Sequence, residues 1–187
     1  MFIVFDKINK RSEKMKRLLI VVDFQNDFVN GSLGFQKAMD LEKHIVHLIK
    51  TYQENGDEVI YTMDTHQKNY LETYEGKHLP IKHCIINEEG WKIYGEAKNL
   101  LKDCLCFQKE TFPSLDLANY LKNKTYQDVT LVGLVSHICV LSNAIMVKSA
   151  LFNTPIYIDL KGTASIDEKT HLECIHVMKS LQLEIIE

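Results

Sequence analysis

From Arg17 onward the chain alternates between two hydrophobic patterns. Short, nearly continuous apolar runs at 18–23 (LLIVVD), 58–63 (EVIYTM), 128–133 (DVTLVG) and 155–159 (PIYID) have the pattern of strands buried on both faces. Two shorter runs at 105–108 and 183–186 read the same way. Between them, Leu41, Ile45, Leu48, Ile49 and Tyr52 recur at helical spacing, and Gly56 then punctuates the chain. Further helices are predicted over 94–101, 116–122, 139–152 and 167–181, the last with Asp167 as its N-cap. Strands alternating with helices predict an α/β fold: a parallel sheet covered on both faces. No repeat, low-complexity segment or linker divides residues 15–187, which read as one domain. Residues 1–14 stand outside the alternation and read as an N-terminal extension of unassigned role, with Met15 placed as an alternative start.

Bulk properties narrow the classes of function. The 187 residues, 45% of them hydrophobic, suffice for one substantial core. A formal net charge of −3, with no basic block beyond the N-terminal stretch, leaves nucleic acid without an electrostatic footprint. No apolar run approaches the roughly 18–20 residues that span a bilayer. The N-terminus has its apolar patch before its charges, the reverse of a signal peptide, so a cytoplasmic protein with no membrane partner is expected. The expected partner is a small molecule, and assembly into a homo-oligomer is left open. Five cysteines, an odd number with no C-x-x-C among them, predict free thiols.

Ligands of such sheets bind beyond the carboxyl ends of the strands, and chemistry-bearing residues follow several strand runs here. Asp23 ends the first run, where a buried carboxylate is costly unless partnered. Asp27, four residues on, reads as a turn residue with Asn30 and Gly31. Asp64 and His66 follow the second run; an i, i+2 pair on an extended segment points one way and makes half of a transition-metal site. The loop EGKHLPIKHC adds Glu75, His78 and His83. Lys109 follows LCFQ; it is either a surface lysine or a cation beside a carboxylate and a thiol, where it would stabilise a thiolate. Cys139 follows a strand and a short turn and opens a helix. There the dipole and free N–H groups favour a thiolate and could hold an oxyanion. The alternative for Cys139 is a buried structural thiol.

Five motifs in order, VVDFQNDFVNGSLG (21–34), MDTH (63–66), LPIKHC (79–84), FQKETF (107–112) and GLVSHICV (133–140), resemble the isochorismatase-like cysteine hydrolases, and within them the nicotinamidases (pyrazinamidases). The resemblance runs from about Lys16 to the end. It implies a three-layer α/β/α fold with a mostly parallel central sheet, and a catalytic triad of Asp23, Lys109 and Cys139. It also implies a cis peptide between Leu134 and Val135, and an oxyanion hole made by the backbone N–H groups of Val135 and Cys139. Asp64, His66 and His83, with Glu75 as a fourth, would hold one divalent transition metal, zinc first and manganese or iron as alternatives. The implied reaction converts nicotinamide to nicotinate and ammonia through a cysteine thioester, a step of NAD salvage. Two departures bear on the substrate: Ser136-His137 stands where the family usually has Thr-Asp, and Thr65 where many nicotinamidases have an aromatic. The rival readings are a related C–N hydrolase acting on another amide or ureido compound, and a non-catalytic small-molecule-binding relative. Phe28, Tyr70, Trp91 and Phe112 are candidate pocket walls, Phe28 foremost.

Overall fold

The computed structural model describes residues 15–187; the expected extension over 1–14 lies outside the described residues. The strands are β1 (Leu18–Val22), β2 (Glu58–Asp64), β3 (Leu105–Lys109), β4 (Val129–Leu134), β5 (Ile156–Ala164) and β6 (Glu184–Ile186). They form one sheet in the order β3-β2-β1-β4-β5-β6. Every neighbouring pair in it is parallel. The helices are α1 (Asn26–Val29), α2 (Gln36–Asp40), α3 (Glu42–Glu54), α4 (Tyr74–His78), α5 (Ala97–Leu101), α6 (Leu115–Leu121), α7 (Leu141–Ala150) and α8 (Glu168–Ser180). A 3-10 turn spans Tyr70–Glu72 and a π turn Ser136–Val140. Among the described residues no helix is long and apolar enough to cross a membrane.

The apolar runs become central strands because both faces of the sheet are covered. All five residues of β1 are fully buried, and they divide by the period-two rule. Leu19 and Val21 join the core under α3, with Ile45, Val46, Ile49 and Tyr52. Leu18, Ile20 and Val22 join the other, with Leu117, Leu121, Val140, Ala144, Val147 and Met178 from α6 to α8. Asp167 caps α8 by accepting from the Thr170 N–H at 2.7 Å.

The sequence pattern and the fold differ where elements are short or bent. The helices α1, α2 and α4 span four or five residues each, too few for a periodic signal. The helix expected over 94–101 begins only at Ala97. The strand expected over 155–159 continues to Ala164, resuming its pairing with β4 through a register shift that brings Thr163 opposite Gly133. The helix expected over 139–152 divides into the π turn and α7, so Cys139 lies inside a widened turn rather than at an α-helix start. Gly133 has φ +113, and a Cβ there would run into the Val22 carbonyl, so β4 approaches β1 closely just before this turn.

Candidate active site

The parallel register brings the strand-end residues to one edge of the sheet. Asp64 and Lys109 are direct partners between β2 and β3, and Val22, which precedes Asp23, faces Thr62 and Gly133. Asp23 leaves β1 with φ 46, a left-handed conformation that Asp tolerates better than most residues. Its N–H still bonds the Thr62 carbonyl at 3.2 Å, while Thr62 Oγ1 donates to Asp23 Oδ1 at 2.7 Å. Lys109 Nζ lies 2.6 Å from Asp23 Oδ2, 3.4 Å from Asp64 Oδ1 and 3.8 Å from Cys139 Sγ. All four residues are buried, with Lys109 only 6% exposed, which rules out a surface lysine.

Burial dominates the electrostatics. It raises the Asp23 carboxyl above its ordinary value, and the neighbouring Lys109 charge only partly offsets this. It also pushes the Cys139 thiol well up, outweighing the Lys109 charge that the sequence suggested would favour a thiolate. Lys109 itself is held charged: burial disfavours the cation, but Asp23, Cys139 and Asp64 together raise its pKa. Burial thus favours the neutral form at both Cys139 and Asp23, while Lys109 keeps its charge between them.

Asp64, His66, Glu75 and His83 converge beside this trio, with one donor atom from each lying within 4.8 Å of all the others. His66 Nε2 is 2.9 Å from Asp64 Oδ2 and 3.7 Å from Glu75 Oε1, and His83 Nε2 is 3.3 Å from Asp64 Oδ2. An ion with bonds of about 2.0–2.2 Å holds its donors roughly 3–3.6 Å apart. The separations of Asp64 from His66 and His83 are close to that range, Glu75 stands slightly farther out, and the set of two imidazoles and two carboxylates suits a first-row divalent metal. His83 Nδ1 sits 2.8 Å from the Ile81 carbonyl, which can only accept, so the neutral ring turns a lone pair at Nε2 toward the group. Burial alone would lower the His83 pKa, but the bonds to Asp64 and the Ile81 carbonyl outweigh it and leave it raised. Burial likewise works against the Asp64 carboxylate, yet His66, His83 and Lys109 hold its pKa well below the ordinary range. His78 is not part of the group; its Nδ1 meets the Tyr74 carbonyl within α4 at 2.9 Å.

Several residues that build the site carried no sequence signal of it. Gln25 is fully buried and clamps both sides of the gap. Its amide donates to the Asp64 and Trp91 carbonyls at 2.9 and 2.8 Å, and its carbonyl accepts the Asp64 N–H at 2.8 Å. Asp27 is not merely a turn residue: it lies in α1 and accepts the Cys84 N–H at 2.7 Å, anchoring the loop that carries His83. Asn143 on α7 accepts the Ser114 N–H at 3.0 Å and donates to the Phe112 and Cys139 carbonyls at 3.1 and 2.8 Å. It thereby ties the segment after Lys109 to the π turn.

The turn itself contains the cis peptide between Leu134 and Val135. The Val135 carbonyl accepts from the N–H groups of Ile138 and Val140 at 3.1 and 3.2 Å, which passes over the N–H of Cys139. Of the aromatic wall candidates, Phe28 is buried with its ring 5.5 Å from that of His83. Tyr70 is fully buried against His66 and His83, at 4.5 and 4.9 Å, and burial raises its hydroxyl to about 12. The Trp91 indole donates to Thr65 Oγ1 at 2.9 Å. Phe112 is 42% exposed and is not a buried wall.

A family described as the isochorismatase domain matches residues 17–187. The crystal structure of nicotinamidase PncA from Bacillus subtilis superposes with a TM-score of 0.81 at 27% identity, covering 92% of this chain and 100% of that one. Pyrazinamidase of Pyrococcus horikoshii in complex with zinc shares the fold, with a TM-score of 0.80 at 23% identity over 92% of this chain and 99% of that one. The nicotinamidase of Saccharomyces cerevisiae is 21% identical over 91% of this chain and 99% of its own length.

Proposed function

The chain belongs to the isochorismatase family of hydrolases, and within it we propose that this enzyme hydrolyses nicotinamide to nicotinate and ammonia, a reaction of NAD salvage. The observation that carries the reading is the buried trio, with Lys109 Nζ 2.6 Å from Asp23 and 3.8 Å from Cys139 Sγ, set beside the four-donor group of Asp64, His66, Glu75 and His83. A module that only binds its ligand has no use for a buried thiol, base and cation in contact. The Bacillus subtilis relative, a nicotinamidase by its description, adds support.

In this mechanism Asp23 takes the proton from the Cys139 thiol as sulfur attacks the amide carbon. Lys109 holds Asp23 in place and offsets the negative charge that moves onto sulfur. The N–H groups of Val135 and Cys139 receive the oxyanion. As the C–N bond breaks, protonated Asp23 returns its proton to the leaving nitrogen, which departs as ammonia. Water then gives a proton to Asp23 and attacks the thioester; the C–S bond breaks, the acid leaves and the thiol is restored. Asp64, His66, His83 and Glu75 would hold a divalent metal, zinc first with manganese or iron as alternatives, and when bound it supplies a Lewis-acidic contact that positions a ring nitrogen. Phe28 and Tyr70 orient the histidines by ring contact.

A second reading keeps the chemistry and changes the amide. It is favoured at Thr65, whose hydroxyl is engaged by Trp91 where many nicotinamidases have an aromatic side chain. Ammonia release from purified protein given nicotinamide, pyrazinamide and a panel of ureido acids separates the two. Rapid release from nicotinamide supports the first. Release from another amide alone supports the second. Silence on every substrate, with metal bound and Cys139 alkylatable, overturns both in favour of a binding protein.

A further inference from the structure

On the side of the Cys139 turn away from the metal ligands lies a chain of four polar side chains. His171 Nδ1 is 2.8 Å from Ser136 Oγ, Ser136 Oγ is 2.5 Å from Ser165 Oγ, and Ser165 Oγ is 2.7 Å from His137 Nδ1. Both serines are buried, at 1% and 2% exposure, so water does not supply the missing partners. The chain joins three elements: the π turn through Ser136 and His137, the end of β5 through Ser165, and α8 through His171. The Cys174 thiol of α8 adds a contact to the Ser136 carbonyl at 3.5 Å.

Counting protons constrains the chain. Three contacts need three hydrogens, one per contact, and the two hydroxyls supply two. One imidazole must therefore carry a hydrogen on its inward Nδ1, while the other must accept there. If both rings accept, the serine–serine contact lacks a proton; if both donate, one hydroxyl hydrogen loses its acceptor. Burial lowers the pKa of both rings, in keeping with neutral imidazoles.

We infer that Ser136, Ser165, His137 and His171 form a positioning network for the Cys139 turn, in which the two histidines hold opposite tautomers and the hydroxyls point along one direction. The network fixes Ser136, which directly follows Val135, and so sets the aim of the Val135 N–H and of the Cys139 thiol. This rests on reading Cys139 as the nucleophile. None of the four side chains touches the reacting atoms; they act through the turn.

The test has one arm that needs no substrate. Long-range proton–nitrogen NMR of the ¹⁵N-histidine-labelled enzyme, assigned with His137→Asn and His171→Asn, should show one of the two rings as the Nδ1–H tautomer and the other as Nε2–H. Two rings of the same tautomer overturn the network. In the second arm, Ser165→Ala should lower kcat about tenfold with KM little changed, as expected for one lost hydrogen bond at the turn. Iodoacetamide alkylation of Cys139 should slow in parallel, and Ser165→Thr, which keeps the hydroxyl, should restore both. A Ser165→Ala enzyme that loses melting temperature but keeps wild-type kcat and alkylation rate shows a structural contact only and overturns the positioning role. If the wild type hydrolyses no amide while the tautomer and alkylation results hold, the function proposed above fails and the network stands.

Discussion

At the N-terminal edge of the sheet, Arg17 gives three N–H groups to Asp57 at 2.7–3.0 Å, and Glu58 accepts the Tyr120 and Tyr126 hydroxyls at 2.8 and 3.0 Å. At the C-terminal edge, Lys109 faces Asp23, Asp64 and a thiol together, all of them buried. The first edge matches charged groups to dedicated partners. The second gathers acids around one cation, and its pKa values are pulled apart: Asp64 down, Asp23 and Cys139 up. Groups matched in this way stabilise a fold; groups whose protonation is contested can exchange protons during a reaction. That difference is why we propose that the C-terminal edge carries the chemistry, although both edges hold charged groups withdrawn from water.

Four substitutions, a pH profile and a metal analysis sharpen the contrast. Cys139→Ala should abolish ammonia release, by about 10⁴-fold or more, with the circular dichroism spectrum unchanged. Residual turnover within tenfold of wild type would sink the covalent mechanism. Asp23→Asn removes the proton acceptor and should cost about 10²–10⁴-fold in kcat. The same residue sets the pH profile. Its raised pKa keeps the carboxyl protonated to higher pH than usual, and the base is lost as pH falls through that value. The acid limb of kcat/KM should therefore lie above the ordinary carboxylate range, and an acid limb at about pH 4 or below contradicts it.

Metal analysis addresses the neighbouring group. Elemental analysis should find about one transition metal per chain, and His83→Ala should weaken its binding by at least about tenfold. Full retention of the metal in that variant removes His83 from the site. The smallest effect belongs to the other edge. Arg17→Ala should destabilise by about 1 kcal/mol, because the arginine is part-exposed, and leave kcat untouched. A fall in kcat there would erase the distinction between the two edges.

The strand runs were legible because a strand buried on both faces is written as uninterrupted apolar sequence, as in LLIVV of β1. Asp23, Asp64, His66, Lys109 and Cys139 were legible as candidates because a parallel sheet puts strand ends on one edge. Gln25, Asp27 and Asn143 were not, because what they do depends on partners far away in the chain: 39 and 66 residues for Gln25, 57 for Asp27 and 29 or 31 for Asn143. A glutamine after a strand reads as nothing in particular until the Asp64 and Trp91 carbonyls arrive on either side of it. The hydroxyl–imidazole chain of Ser136, Ser165, His137 and His171 is likewise a product of α8 and β5 closing on one turn.

By itself, then, the sequence determined the local alternation of strand and helix, the parallel sheet it builds and the short list of side chains at its edge, since these follow from side-chain periodicity and chain connectivity. Only the tertiary structure decided how those side chains hold their protons. The Cys139 thiol beside Lys109 looked like a preformed thiolate, but the folded site keeps it a thiol, because removal from water disfavours the charge more than one nearby cation favours it. Desolvation depends on what every surrounding element covers, and that is a property of the packed molecule rather than of any stretch of its chain.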